Sequence, residues 1–363
     1  MKAAVWTNEF EARTKDSLRW LKHSFDATNQ QGSAASFVLI SRKGPFWNKA
    51  YPETTGYIIE TMLGYYKIFG EPWIKDYALN AADWLLGLQY EDGAFPAGYL
   101  GTKQKSIFNT GQILFGLLAA HELTNESKYL LGAERATRWL ANSVSKDGSW
   151  DKFNFVPGYS PTYYTRVIWP MMMVNDRVRD KNITDQTLKA LTFYKNRIEG
   201  CKINGMAFHE NQAAFTHTIA YTLRGFLECA HLLNDDKLMD TISNHFILIF
   251  EKIMQDGRLA GRYDVNWNSD LSFECLTGNA QMTLNFARMF ELTGDNKFFD
   301  AAILLWDKNY DMQSRMPFSS LKGGIAGSKP IWGPYMTWEY PNWAAKFYLD
   351  AYLIMMKLIN RKA

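Results

Sequence analysis

Three cysteines in 363 residues, Cys201, Cys229 and Cys275, with no CxxC spacing, exclude a disulfide framework and a thiolate zinc site. They are expected to be buried thiols. The six histidines show neither HxxxH nor HExxH spacing, so no metal is expected. GxxxxGK[ST] is absent and with it a phosphate loop. Apolar runs such as VIWPMMMV at 167–174 fall well short of the ~20 residues that span a bilayer. The first residues, MKAAVWTNEFEARTKDS, meet charge at Glu9 and Glu11 before a secretory apolar segment can form. The chain therefore reads as soluble and cytoplasmic. A net charge of +3 without a Lys/Arg cluster leaves no footprint for nucleic acid.

What is abundant is ring-bearing side chains: 13 Trp, 19 Tyr and 23 Phe. They fill cores, and their flat faces also stack on sugars. Hydrophobic residues at 47% and charged residues at 21% are ordinary for a globular protein and exclude disorder or coiled coil.

The chain repeats itself. TTGYIIETMLGYYKIFG, NTGQILFGLLAAHELT, YTRVIWPMMMVNDRV, HTIAYTLRGFLECAHLL and LTGNAQMTLNFARMFELTG each carry Thr in second place before a helix-period apolar segment. Thr55, Thr110, Thr165, Thr218 and Thr277 are spaced by 55, 55, 53 and 59. A second helical segment follows each after a short polar turn, which makes helical hairpins. The long connections carry Asp-Gly turns at EDGAF, KDGSW and QDGRL and fall at the opposite end. A sixth segment, PNWAAKFYLDAYLIMMKLI, has no partner after it, and EARTKDSLRWLKHSF near the N-terminus supplies one. Six pairs closed by the first helix predict an all-α (α/α)6 toroid over 1–363 as one domain. Open solenoids of TPR or HEAT type repeat at about 34 or about 40–47. Pro170 falls inside the third inner segment, and a helix irregularity is expected there.

YPETTGYI, TYYTRV, THTIAY, GRLAGRYD, CLTGNAQM, GGIAGS and EYPNWAAKF, in this order, resemble a group of bacterial proteins encoded with surface-polysaccharide genes. More broadly, the chain is similar to the six-hairpin glycosidase superfamily. The resemblance runs from about residue 51 to the end and implies carbohydrate chemistry on a toroid.

In such a ring the inner-helix starts converge at the end with the long connections, where helix N-termini add unpaired N–H groups and positive potential. Read together, they give Tyr51, Glu53, Asn109, Gln112, Tyr163, Tyr164, Arg166, His217, Tyr221, Asn279, Gln281, Glu339, Tyr340, Asn342 and Trp343. The loops add Trp150, His209, Glu210, Arg258, Arg262 and Asp264. The repeated Thr reads first as an N-cap.

Glycoside hydrolysis needs two carboxyl groups flanking the bond. Glu53 with Glu339 is one pair, since both open neighbouring helices across the ring closure; Glu210 or Asp264 gives another. The basic groups Arg166, Arg258, Arg262, His209 and His217 suit a uronate carboxylate, which Arg holds bidentately. That opens a second route, a lyase or C5-epimerase with a base drawn from Tyr163, Tyr164, Tyr221 or His217. A glycan-binding scaffold without catalysis is the third reading. An oligo- or polysaccharide is the expected partner, with no cofactor.

Overall fold

A computed structural model describes residues 2–362. Six helices form the inner wall: α2 (Pro52–Phe69), α4 (Ile107–Thr124), α6 (Thr165–Val178), α8 (Thr216–Leu233), α10 (Leu276–Thr293) and α12 (Asn342–Lys362). Each packs on the next, and α12 packs on α2, so the ring closes. The outer helices are α3 (Pro72–Leu88), α5 (Ser127–Asn142), α7 (Lys181–Lys195), α9 (Asp236–Asp256), α11 (Asn296–Asn309) and α1 (Lys2–Asp26). Helix α1 lies against α12 and completes the sixth pair; Ser17 Oγ donates to the Gly323 carbonyl at 2.7 Å and Trp20 Nε1 to that of Ser320 at 2.9 Å. The molecule is a closed α/α toroid.

Local sequence explains the hairpins. Inner helices α2, α4, α6, α8 and α10 all end on a left-handed residue: Gly70, Asn125, Arg179, Asn234 and Gly294. A left-handed C-cap stops a helix and reverses the chain. Three of the outer helices then start on Asp180, Asp235 or Asp295, whose side chain accepts a first-turn N–H.

The long connections carry short antiparallel ribbons that set the inner-helix starts. Ala214–Phe215 pairs with Arg262–Tyr263 ahead of α8, and Glu274–Cys275 pairs with Ser328–Lys329 ahead of α10. Ser36–Val38 pairs with Glu339–Pro341 ahead of α12, in the register Val38 with Glu339. Ring closure is therefore a sheet as well as a helix contact.

The repeated threonines are fully buried but are not the caps expected of them. The N-cap positions belong to Tyr51, Ser106, Tyr164, Phe215 and Cys275, of which Ser106 alone caps with its side chain. Thr55 and Thr110 instead accept the Ser33 and Phe95 N–H groups at 2.9 and 3.0 Å. They pin the incoming loops to the wall.

Helix α6 runs through Pro170, preceded by a 3-10 turn at Thr162–Tyr164. Proline removes the N–H that would bond the Arg166 carbonyl, and the Gln112 amide donates to that carbonyl at 3.2 Å. A side chain from the neighbouring helix thus replaces the lost backbone bond. Among the thiols, Cys229 and Cys275 are buried as expected, but Cys201 is exposed because it sits in the turn between Ile198–Glu199 and Lys202–Ile203. No helix among the described residues is long and apolar enough to cross a membrane.

Inner helices approach so closely that backbone meets backbone. A Cβ on Gly116 would lie 2.2 Å from the Gly56 carbonyl oxygen, whereas one on Gly87 of α3 would meet nothing within 4 Å. Gly116→Ala is expected to destabilise the chain by about 1–3 kcal/mol through overpacking. Gly87→Ala is expected to stabilise it by about 0.5–1 kcal/mol. Denaturant midpoints that move in the same direction for both would contradict this packing.

Candidate functional site

At the long-connection end, first and second turns of the inner helices gather a polar and aromatic cluster, called the bowl below. Helix α2 opens on Tyr51 with Pro52 at its first position, and Glu53 follows, 8% exposed. Its carboxylate shares a hydrogen bond with the Tyr51 side chain. Burial pushes the Glu53 carboxyl up to about 7, while the Tyr51 hydroxyl and the Arg166 guanidinium pull it back. The negative form is disfavoured because water is excluded and tyrosines surround it. Tyr51, Tyr57, Tyr163, Tyr164 and Tyr221 all lie within its field.

Across the ring, α8 opens with His217, whose Nδ1 is 2.9 Å from Gln281 Oε1. An amide oxygen only accepts, so with that assignment Nδ1 carries the proton and Nε2 keeps its lone pair. Burial holds His217 down, to about 3; the Gln281 bond opposes this and Arg166 adds to it. His217 is therefore a neutral imidazole, packed 4.4 Å from the Tyr221 ring and 5.4 Å from that of Tyr335.

The floor lies one turn deeper. The Arg166 guanidinium sits over Phe115, Trp169, Tyr221 and Phe347 at 5.0, 5.5, 4.8 and 5.5 Å. Its Nε donates to Gln112 Oε1 at 2.9 Å, so its hydrogen-bond partner is a neutral amide. Tyr221 reaches across the axis to the Tyr57 hydroxyl at 3.4 Å, and Tyr57 meets Phe347 at 5.6 Å.

The structure brings together Tyr51, Glu53, Gln112, Tyr163, Arg166, His217, Tyr221, Gln281 and Trp343. Trp343 donates to the Tyr335 hydroxyl at 2.9 Å and lies 6.3 Å from the Tyr51 ring. Glu339 is at the rim, accepting from Ser36 Oγ at 2.5 Å. It acts on Tyr99, and Tyr99 packs 5.6 Å from Tyr51. Tyr51 and Tyr99 thus pack together between the surroundings of the two carboxylates.

Other nominated residues have different work. Arg262 pairs with Asp270 at 2.7 Å across a ribbon, and Arg258 bonds the Leu271 carbonyl. Arg262 is thus paired with a carboxylate, and Arg258 stands 4.0 Å from that of Glu274. Asp264 holds its own turn through Asn266 and Asn268. Asn109 donates to the Pro96 carbonyl at 3.0 Å and Asn279 to Glu274 at 3.0 Å. Asn342 fastens Ser33 and Ala34, both at 2.9 Å, and Tyr340 is buried in the closing sheet. Trp150 is sealed in the core with Nε1 on the Leu140 carbonyl at 3.1 Å. Tyr164, also fully buried, stacks on Phe108 at 5.7 Å. His209 and Glu210 line a separate cleft beside the bowl.

Burial raises Tyr163, Tyr164 and Tyr221 above the ordinary phenol range, the wrong direction for a base at neutral pH. Tyr57, Tyr99, Phe108, Tyr335 and Phe347 were not nominated from the sequence. Tyr57 and Phe347 lie four residues past Glu53 and Trp343, a helical step that points to the same face. Among the described residues, no group of three or more His, Cys, Asp or Glu converges as metal ligands would.

No protein-family model matches the chain, and no curated protein sequence matches it. Solved structures share its architecture. An unsaturated glucuronyl hydrolase specific for heparin aligns over 98% of both chains at 15% identity with a TM-score of 0.77. Cellobiose 2-epimerase from Bacillus thermoamylovorans aligns over 99% of this chain and 100% of its own, at 13% identity and a TM-score of 0.75. A sugar epimerase from a ruminal bacterium covers 100% of both chains at 14% identity, with a TM-score of 0.74. At these identities the likeness establishes the fold.

Proposed function

We propose that this chain is a carbohydrate-active enzyme that hydrolyses a glycosidic bond in an acidic, uronate-containing oligo- or polysaccharide, with Glu53 as the proton donor. The observation that carries this reading is the carboxyl of Glu53, buried among tyrosines at the ring axis and held up to about 7. A general acid works best when its pKa lies near the working pH. Glu339, at the rim, is the second carboxylate and serves the attacking water. Arg166 is the cation that recognises the acidic sugar, since Arg258 and Arg262 are paired elsewhere. Tyr51, Tyr99 and Trp343 supply faces for the sugar ring. The folds of a glucuronyl hydrolase and of two sugar epimerases fit a saccharide substrate.

One observation favours a second reading. Gln281 fixes His217 with Nε2 unprotonated, which is the form a proton-abstracting base needs in epimerisation or β-elimination. Its pKa near 3 makes it a weak base in the unliganded site, and this places hydrolysis first.

The reactions separate by product. With uronate-containing oligosaccharides in heavy water, hydrolysis is expected to release reducing ends with neither near-ultraviolet absorbance nor carbon-bound deuterium. Absorbance from an unsaturated uronate, or deuterium gained without cleavage, would move the assignment to His217.

A further inference from the structure

A cleft of about 750 Å³ opens beside the bowl on the same end of the ring, within the volume range of small-molecule sites. One segment, 206–210, contributes side chains to both. Phe208 faces the bowl, 5.8 Å from Tyr163 and 6.2 Å from His217. The next two residues, His209 and Glu210, face the cleft. Phe155 lies against this segment, with its ring 6.4 Å from Phe208 and 6.0 Å from His209, yet it is 72% exposed. A phenyl ring supported from below and bare above is a stacking platform between two polar hollows.

The charge of the cleft selects its occupant. Asp147, Asp151, Glu210 and Asp264 line it with Arg197 and His209; Arg197 donates to the Ser160 carbonyl at 2.6 Å, and Lys189 and Lys202 act on Asp147 and Asp264. Asp147 and Asp264 are held in their own turns, whereas Asp151 and Glu210 are exposed to solvent. Free carboxylates accept from sugar hydroxyls but repel another carboxylate.

We infer that the cleft holds the distal units of the sugar chain and that those units are neutral, while the acidic unit sits in the bowl. This rests on the proposal that the bowl binds a saccharide. It makes the substrate a mixed chain of several units that crosses Phe155, with its charge confined to the end over Arg166.

The test is calorimetric binding of cello-, malto- and xylo-oligosaccharides from two to six units, with oligogalacturonates of the same lengths as charged counterparts. At least one neutral series is expected to gain about tenfold in affinity as it lengthens enough to cross Phe155, while the galacturonates gain little. Phe155→Ala, at an exposed position and with an unchanged melting temperature, is expected to abolish the gain. Glu210→Lys is expected to let the galacturonates gain with length.

If no neutral series tightens with length, or the galacturonates tighten as much, or a folded Phe155→Ala chain keeps the gain, the cleft is not a sugar subsite. Turnover by Glu53→Gln is a separate readout. A lost length gain with Glu53 still essential removes the cleft alone, and a preserved gain with Glu53 dispensable removes the hydrolytic reading alone.

Discussion

Glu53→Gln is expected to lower kcat by about 10²–10⁴-fold, the range a positioned general acid supplies, and at the same time to raise the melting temperature. The two effects have one cause. Burial raises the carboxyl from an ordinary value of 4.5 to about 7. Between these values the unfolded chain has released the proton and the folded chain still holds it, so the folded state binds more protons and loses stability as pH rises. The stability that the protonated carboxyl provides is fully present below 4.5 and gone above about 7. At 1.36 kcal/mol per unit, the difference of 2.5 units amounts to about 3 kcal/mol.

Glutamine keeps the shape and the hydrogen-bonding oxygen without the charge. The melting-temperature gap between variant and parent should therefore be small at pH 5, widen toward pH 7.5 and level off beyond. The activity of the parent should fall later, through about pH 7 and beyond, because only there does the folded donor lose its proton. A gap that does not change with pH would show that Glu53 is not the titrating group, whatever the loss in kcat.

The toroid was readable because closure is periodic: the same Thr-led segment returns six times less one threonine, and the short and long connections alternate. The candidate cluster was legible where residue type coincides with that period. Glu53, Gln112, His217, Gln281 and Trp343 lie within the first turns of inner helices, and the helical repeat alone brings them to one axis. Tyr57 and Phe347 obey the same rule one turn later, inside apolar segments where a ring reads first as core. Loops carry no such period. Arg262 and Asp270 face each other across a ribbon in direct register, and Asp264 is absorbed by the turn between them; the eight-residue spacing around DVNWNS was the one hint. Nothing in the linear order shows that Trp150 turns into the core while Phe155, five residues on, turns out.

Arg166→Met is expected to shift the pH-rate profile upward and to cost acidic substrates about 10–100-fold in kcat/KM, with neutral substrates losing less. Arg166 lowers both Glu53 and His217, so its removal lets both rise. If Glu53 donates the proton, the descending limb of the profile moves to higher pH; if His217 abstracts one, the ascending limb moves in the same direction. The sign is therefore independent of which group acts, and the limb that moves identifies it.

Stability should change little, because two terms oppose. The guanidinium forfeits its contacts with four rings, each contact worth about 0.5–2 kcal/mol. The variant also no longer buries a cation whose hydrogen bond goes to an amide rather than a carboxylate.

Arg166→Lys separates charge from shape. The ammonium keeps the positive field but has no planar Nε–H to offer Gln112. The limbs of the profile should stay near the parent's while acidic-substrate affinity falls. Equal losses for acidic and neutral substrates in the Met variant, with unmoved limbs, would assign Arg166 to packing alone and leave the bowl without its reason to prefer a uronate.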